Sequence, residues 1–374
     1  MSYFRGCFLA CITALILIGT QAQAQAQQRA DANLRDQVNS GVVRIITGPI
    51  GSTTLKTMAE LANTLRGLDG LRIIPIMGKG TQSNVRDLLF LEHTDLAVVQ
   101  LDALEALKAD RTFPGIERRV SYVTKLFNEE VHLIARSDIA DISALAGKRV
   151  GMGLQGSGSA ITGRTIFETL GISVEAVLVD DLNGLEQLKR GELDAVVFIE
   201  GSPSGIVGKI PADANLKLLS VPIDPRLLDR YLPARLSGED YPNLIGQGAS
   251  VDTIAVGTAL IAFNWRRDTS AYAFLSKFTQ AFFDNLNNLH QPPHHPKWQE
   301  VNLTAQLPGW RRFGGAEEAL NVVVPEACSE PVLQAAFRKF IRAYNQTNSA
   351  SAQPTASNEQ LFQDFLEWLR TNRG

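Results

Sequence analysis

The sharpest chemical motif in this sequence is Gly151-Met152-Gly153-Leu154-Gln155-Gly156, which matches G-x-G-x-x-G. It follows a strand pattern and opens a helix pattern, and the next strand ends at Asp180. That is the context of a dinucleotide-binding turn. The motif runs on into Ser157-Gly158-Ser159, which places hydroxyls at the helix start. Free N–H groups and the positive dipole end there suit any carboxylate or phosphate, not only a pyrophosphate. The plainer reading is a tight turn that needs glycine for positive φ. Small-anion binding ranks above that turn, and a nicotinamide cofactor below both. A second grouping, His290, His294 and His295, has metal-like spacing. It sits among prolines with no acidic or thiol ligand nearby, so a solvated loop is expected rather than a metal site. His132 lies inside an apolar strand and reads as structural. The G-x-S-x-G, Walker A, H-E-x-x-H and C-x-x-C patterns are all absent.

Polar, glycine-rich loops recur at the ends of strand patterns. They are Thr47 to Thr54, Gly78 to Asn84, Gln100-Leu101-Asp102, the Gly151 to Ser159 turn, and Gly201 to Gly205. Each alone is an ordinary turn. In phase, at the carboxyl ends of strands in an open α/β sheet, they are where ligands bind. The residues singled out for binding are Thr47, Gly51, Ser52, Thr53, Ser83, Asn84, Gln100, Asp102, Ser157, Gly158, Ser159 and Ser202. Their hydroxyls and backbone N–H groups would hold a carboxylate, and Asp102 would accept from an amino group. Lys79 and Arg164 are cationic candidates, with a solvated surface role as the plainer reading. No catalytic residue, metal ligand or cofactor is assigned.

The elements behind these loops alternate. VVRIIT (42–47), LRIIPIM (71–77) and DLAVVQ (95–100) read as strands separated by helices over 55–65 and 83–91. The pattern repeats with VHLIAR (131–136), 149–152, VEAVLVD (174–180), DAVVFIE (194–200) and LKLLSVP (216–222). Helices over 161–170, 185–190 and 225–231 lie between or after them. This predicts βαβ units with mostly parallel sheets. TIAVGTALIAF (253–263) reads as a long strand and 270–289 as a long amphipathic helix. Further helices are expected over 331–344 and 358–370, separated by a low-complexity stretch at 348–357.

The chain has 374 residues, 45% hydrophobic and 20% charged, with net charge −3. Two domains fit that length. The charge argues against a nucleic-acid partner. Residues 1–24 read as a signal peptide, with Arg5, an apolar run from Cys7 to Ile18, and Ala22-Gln23-Ala24 as the cleavage site. Cleavage would leave Cys328 alone, without an intramolecular disulfide. Residues 25–40 read as a flexible lead-in. These features fit a periplasmic protein.

TGPIGSTTL (47–55), GTQSN (80–84), DLAVVQLD (95–102), ALAGKRVGMGLQGSGS (144–159) and GELDAVVFIEGSP (191–203) resemble ordered motifs of the TAXI class of TRAP-transporter solute receptors. TIAVGTALI (253–261) resembles that family's crossing strand, so the likeness spans residues 42–263. The resemblance implies a two-lobed, type II periplasmic-binding-protein-like fold with two open, mostly parallel sheets joined by crossing strands. It places lobe one at 41–130 plus 251–374 and lobe two at 131–250. It implies hinge closure on a small organic acid, glutamate-like or 2-oxo-acid-like, and delivery to membrane permease subunits, without enzymatic chemistry. Pro49, Ser52, Thr54 and Leu55 stand where the family has glycine or tyrosine, and Ser159 where it has threonine. Loss of those aromatics alters the ligand surface. An ABC-type or sensory receptor for another solute, an exported enzyme and an exported redox protein are the alternatives.

Overall fold

The computed structural model describes residues 25, 27–35 and 37–323. Residues 1–24, read as a signal peptide, all three cysteines and the helices read over 331–344 and 358–370 lie outside them. Residues 27–35, read as a flexible lead-in, are helical and exposed. Among the described residues no helix is long and apolar enough to cross a membrane.

Two units with the same strand order build the molecule. The first contains β1 (Val42–Ile46), α1 (Thr53–Thr64), β2 (Arg72–Ile76), α2 (Thr81–Phe90), β3 (Leu96–Gln100), α3 (Leu101–Ala106) and the single turn α4 (Ile116–Arg119). Its parallel strands lie in the order β2-β1-β3. Next comes β4 (Val120–Arg136), a strand that crosses between the units. The second unit contains β5 (Arg149–Gly151), α5 (Gly158–Leu170), β6 (Glu175–Val177), α6 (Asp181–Lys189) and β7 (Ala195–Glu200). Its parallel strands lie in the order β7-β5-β6, the same arrangement again. β8 (Leu216–Leu219), α7 (Pro225–Leu228) and β9 (Leu232–Ser237) complete it, and β10 (Ser250–Phe263) crosses back.

The crossing strands run antiparallel to each other and to the strands beside them. Leu260 of β10 pairs with Val98 of β3 on one side and Thr124 of β4 on the other. The far half of β4 pairs with β7, His132 opposite Phe198. Hydrogen bonding is therefore continuous through the lobes as β2-β1-β3-β10-β4-β7-β5-β6. The two expected open sheets are joined by the crossing pair, as the resemblance implied, into one curled sheet.

Both faces of each unit are covered, which explains the unbroken apolar runs. Val43 and Ile45 of β1 face Met58 and Leu61 of α1, while Ile46 packs with Val85 and Leu88 of α2. In the second unit Val197 and Ile199 share a core with Ile166, whereas Val196 and Phe198 turn to Leu185. α8 (Ser270–Leu289) returns to the first unit, placing Phe278 and Phe282 against the β1 core beside fully buried Trp298. α9 (Gly314–Val323) packs there too through Ala316 and Ala319.

His132 and His295 are buried structure, whereas His93 is exposed and His290 and His294 are partly exposed. His295, in the stretch read as a solvated loop, is buried and caps a short helical turn at Lys297. Its backbone N–H donates to Glu60 Oε2, which also accepts from Trp298 Nε1. His132 is fully buried. Its Nδ1–H donates to the Glu130 carbonyl at 3.0 Å, so Nε2 accepts from the Tyr241 hydroxyl at 2.7 Å. Burial holds the ring neutral, with its pKa pushed down to about 3. Among the described residues no group of His, Cys, Asp or Glu could hold a metal ion.

Candidate functional site

The strand order fixes where a ligand goes. In each unit the chain leaves the central strand toward one side and returns to the other. A crevice therefore opens at the carboxyl ends of β1 and β3, and again at those of β5 and β7. The two crevices face each other and merge into one cleft of about 430 Å³. Gly48, Pro49, Ile50, Ser52 and Thr54 line it after β1, Gln100 at the end of β3, Leu154 and Ser157 to Ser159 after β5, and Ile199 and Glu200 at the end of β7. Glu129 and Thr258 on the crossing strands also line it.

Each unit presents a helix N-terminus capped by serine. Ser52 Oγ accepts from Leu55 N at 3.2 Å, and Ser157 Oγ accepts from Ala160 N at 3.2 Å. These caps occupy an acceptor site on each hydroxyl, and Ser52 Oγ also shares a 3.2 Å hydrogen bond with Thr54 Oγ1. Gly80 begins α2 with φ +118, and an added Cβ there would lie 2.5 Å from Ser157 Cα of the opposite lobe. The Gln82 N–H donates to the Gly156 carbonyl, 3.2 Å across the same contact. The lobes are thus closed around the cleft.

Of the sequence-derived candidates, Ser52, Asn84, Gln100, Ser157, Gly158 and Ser159 line the cleft. The others sit elsewhere, for identifiable reasons. Thr47 is buried under the first loop, its Oγ1 donating to the Ile76 carbonyl. Gly51 is exposed, next to Ile206 of the other lobe. Ser83 is one helical step from Asn84 and therefore on another face, where it accepts from Arg86. Thr53 ties the lobes: its N–H donates to Glu200 Oε2 at 2.7 Å and its hydroxyl to the Gly201 carbonyl at 2.9 Å. The Ser202 N–H donates to Glu130 Oε2 and its hydroxyl to Asp240. Arg164 is exposed on α5, and Lys79 stands exposed at the cleft wall.

Asp102 is buried as an interlobe tie. Its Oδ2 accepts from Thr162 Oγ1 at 2.6 Å and the Tyr231 hydroxyl at 2.9 Å. Burial pushes its carboxyl above the usual range, and these hydroxyls pull it back. Tyr231→Phe is expected to cost about 1–2 kcal/mol in urea unfolding, because one donor to a buried carboxylate is lost. An unchanged midpoint would show that water replaces it.

Apart from Asp180, singled out above as a strand-ending acid, the acidic residues of the cleft are not among the residues the sequence pointed to. Among the described residues that line it, Glu129, Asp180, Asp181 and Glu200 face a single cation, Lys79. Burial drives Glu129 up to about 8, with Glu130 and Asp102 adding to the rise and the Gln100 hydrogen bond and Lys297 opposing it. Burial and the neighbouring Glu129 raise Glu200 well above its ordinary value. Burial and Asp180 bring Asp181 to about 7. Asp180 itself caps α6 by accepting from Asn183 N. The available sequence signal was a carboxylate ending the buried run DAVVFIE and a Glu-Glu pair before VHLIAR.

Comparison with known proteins places this geometry. Among solved structures, the chain is similar to the periplasmic binding protein BugD at 14% identity and TM-score 0.47, covering 80% of this chain and 97% of that one. It is similar to MatC (Rpa3494) from Rhodopseudomonas palustris with bound malate at 18% identity and TM-score 0.44, covering 82% and 98%. For the amino acid ABC transporter substrate-binding protein AbpA from Streptococcus pneumoniae, bound to L-arginine, the values are 16%, 0.39, 66% and 91%. At these scores none of them speaks to this chain's ligand. The NMT1-like family matches residues 45–309, most of the chain and every residue that lines the cleft, so this protein belongs to the NMT1-like family.

Proposed function

We propose that the protein is a periplasmic solute receptor that encloses a small organic molecule between its lobes and passes it to a TRAP-type membrane permease. The carrying observation is the pair of serine-capped helix N-termini, α1 and α5, lining one cleft from opposite lobes. A carboxylate of the solute sits there, with backbone N–H groups and the Ser52 and Ser157 hydroxyls as donors. Both serines cap helices rather than pairing with a base, which favours capture over chemistry. The permease assignment rests on the loop motifs, which resemble TRAP receptors of the TAXI class. A cleft shared between lobes suits capture by hinge closure.

A thermal-shift screen of the mature chain, residues 25–374, tests the reading. The panel is amino acids, amines, dicarboxylates and 2-oxo acids of matched size. One class should raise the melting temperature in a concentration-dependent way. Solute at 100 times its Kd stabilises by roughly 2.7 kcal/mol. Silence from every class overturns the receptor reading.

A further inference from the structure

The inner end of the cleft is rich in acceptors. Glu129 and Glu200 are both buried there, and Glu129 raises the cost of ionising Glu200. Gln100 is 9% exposed, donates through Nε2 to Glu129 Oε2 at 2.6 Å, and leaves Oε1 without a partner. An added Cβ on Gly158 would lie 1.2 Å from that oxygen, so it reaches across to the opposite lobe at the start of α5. Asn84 repeats the pattern. Its Nδ2 donates to the Thr47 and Val98 carbonyls, at 2.8 and 3.0 Å, which fixes the amide's orientation and leaves Oδ1 unpaired. Neither oxygen opens onto the cleft, since Gln100 Oε1 packs on Gly158 and Asn84 Oδ1 on Gly78, so the acceptors left at this end for a ligand are the carboxylates of Glu129 and Glu200. Exposed Ile50 and Met77 of one lobe and Leu154 and Leu182 of the other line the same cleft.

We propose that the solute carries a protonated nitrogen head, an amine, amidine or guanidine, seated against Glu129 and Glu200, with an apolar body between Ile50, Met77, Leu154 and Leu182. This rests on the receptor reading and narrows it: a solute with only carboxylates or a 2-oxo acid is excluded. The charged groups facing the pair are Glu130, Asp102 and Asp181, which oppose its ionisation, and Lys297, which favours it. Burial therefore favours the protonated form of the pair, and a cation displaces a proton as it binds.

The experiment is calorimetric titration with the class that scores in the thermal screen, repeated in buffers of different ionisation enthalpy. A nitrogen cation should release about one proton and bind about tenfold more tightly per pH unit rising from 6 toward 8. Glu129→Gln should weaken it about tenfold to a hundredfold, the loss expected for a charge-assisted hydrogen bond. Glu200→Gln provides the same reading should the first variant fold poorly. A dicarboxylate or 2-oxo acid that binds with proton uptake, more tightly at low pH, overturns the nitrogen-head proposal and leaves the receptor reading standing. No binding by any class overturns both.

Discussion

Lys297→Met should destabilise the protein by about 3–5 kcal/mol, the range for removing one partner of a buried ion pair. The Lys297 side chain is 4% exposed, and its Nζ lies 2.5 Å from Glu130 Oε1 and 2.6 Å from Glu300 Oε1. Glu130 sits on β4 where the strand crosses between lobes, and its Oε2 accepts from the Ser202 N–H of the second unit. Burial, with a smaller push from Glu300, drives the Glu130 carboxyl upward, and Lys297 is the main influence pulling it back. Without the lysine, Glu130 is a buried charge with no cation at hand. Its folded-state pKa then rises further above the unfolded value. The penalty is fully present above the folded value and shrinks as pH falls, because the folded state takes up the proton more readily. Urea denaturation at about pH 8 and pH 5 should therefore show a larger deficit at the higher pH. The double variant with Glu130→Gln should recover part of the loss. A pH-independent deficit would mean that the lysine's methylene packing, not its charge, stabilises this point.

Gly80→Ala should weaken solute binding about tenfold to a hundredfold by holding the lobes apart. Gly80 has φ +118 and ψ 171, a backbone region essentially restricted to glycine, and strain there costs about 1–3 kcal/mol. A Cβ would also meet Ser157 of the other lobe, at 2.5 Å from Cα and 2.9 Å from Cβ. Backbone cannot swing away as a long side chain does, so relief requires the lobes to part. Gly147→Ala is the control: its φ is +71, but no atom lies within 4 Å of an added Cβ. Both variants should lose stability, and only Gly80→Ala should lose affinity and gain radius of gyration by small-angle scattering. Equal affinities would show that this contact does not govern closure.

The two variants probe features of different visibility in the sequence. The Gly78 to Asn84 loop was recognisable because glycine and small polar residues ended a strand pattern. The role of Lys297 was not, since its partner Glu130 lies far away along the chain. The same contrast runs through the fold. Strand VHLIAR was legible from Val131, but β4 begins at Val120. Thr124, Lys125, Asn128, Glu129 and Glu130 break the apolar run at the place where the strand leaves one core for the other. β9, with Pro233 and Arg235, lacked an apolar run altogether and was missed. His295 read as solvated because its neighbours are prolines, yet Glu60 on α1 and the Pro203 carbonyl of the other lobe enclose it.

The residues by themselves determined the alternation of buried strands and helices, the long helix at 270–289 and the in-phase glycine-rich loops. Those signals are local: periodicity, turn chemistry and caps act within a few residues. Only the tertiary structure decided which polar groups share the cleft. Asp102 and Thr53 became ties between lobes, Ser52 and Ser157 came to oppose each other, and Glu129 and Glu200 met where burial resists their charge. Each of those outcomes depends on how two units are brought face to face by a pair of crossing strands, and no local pattern encodes that distance.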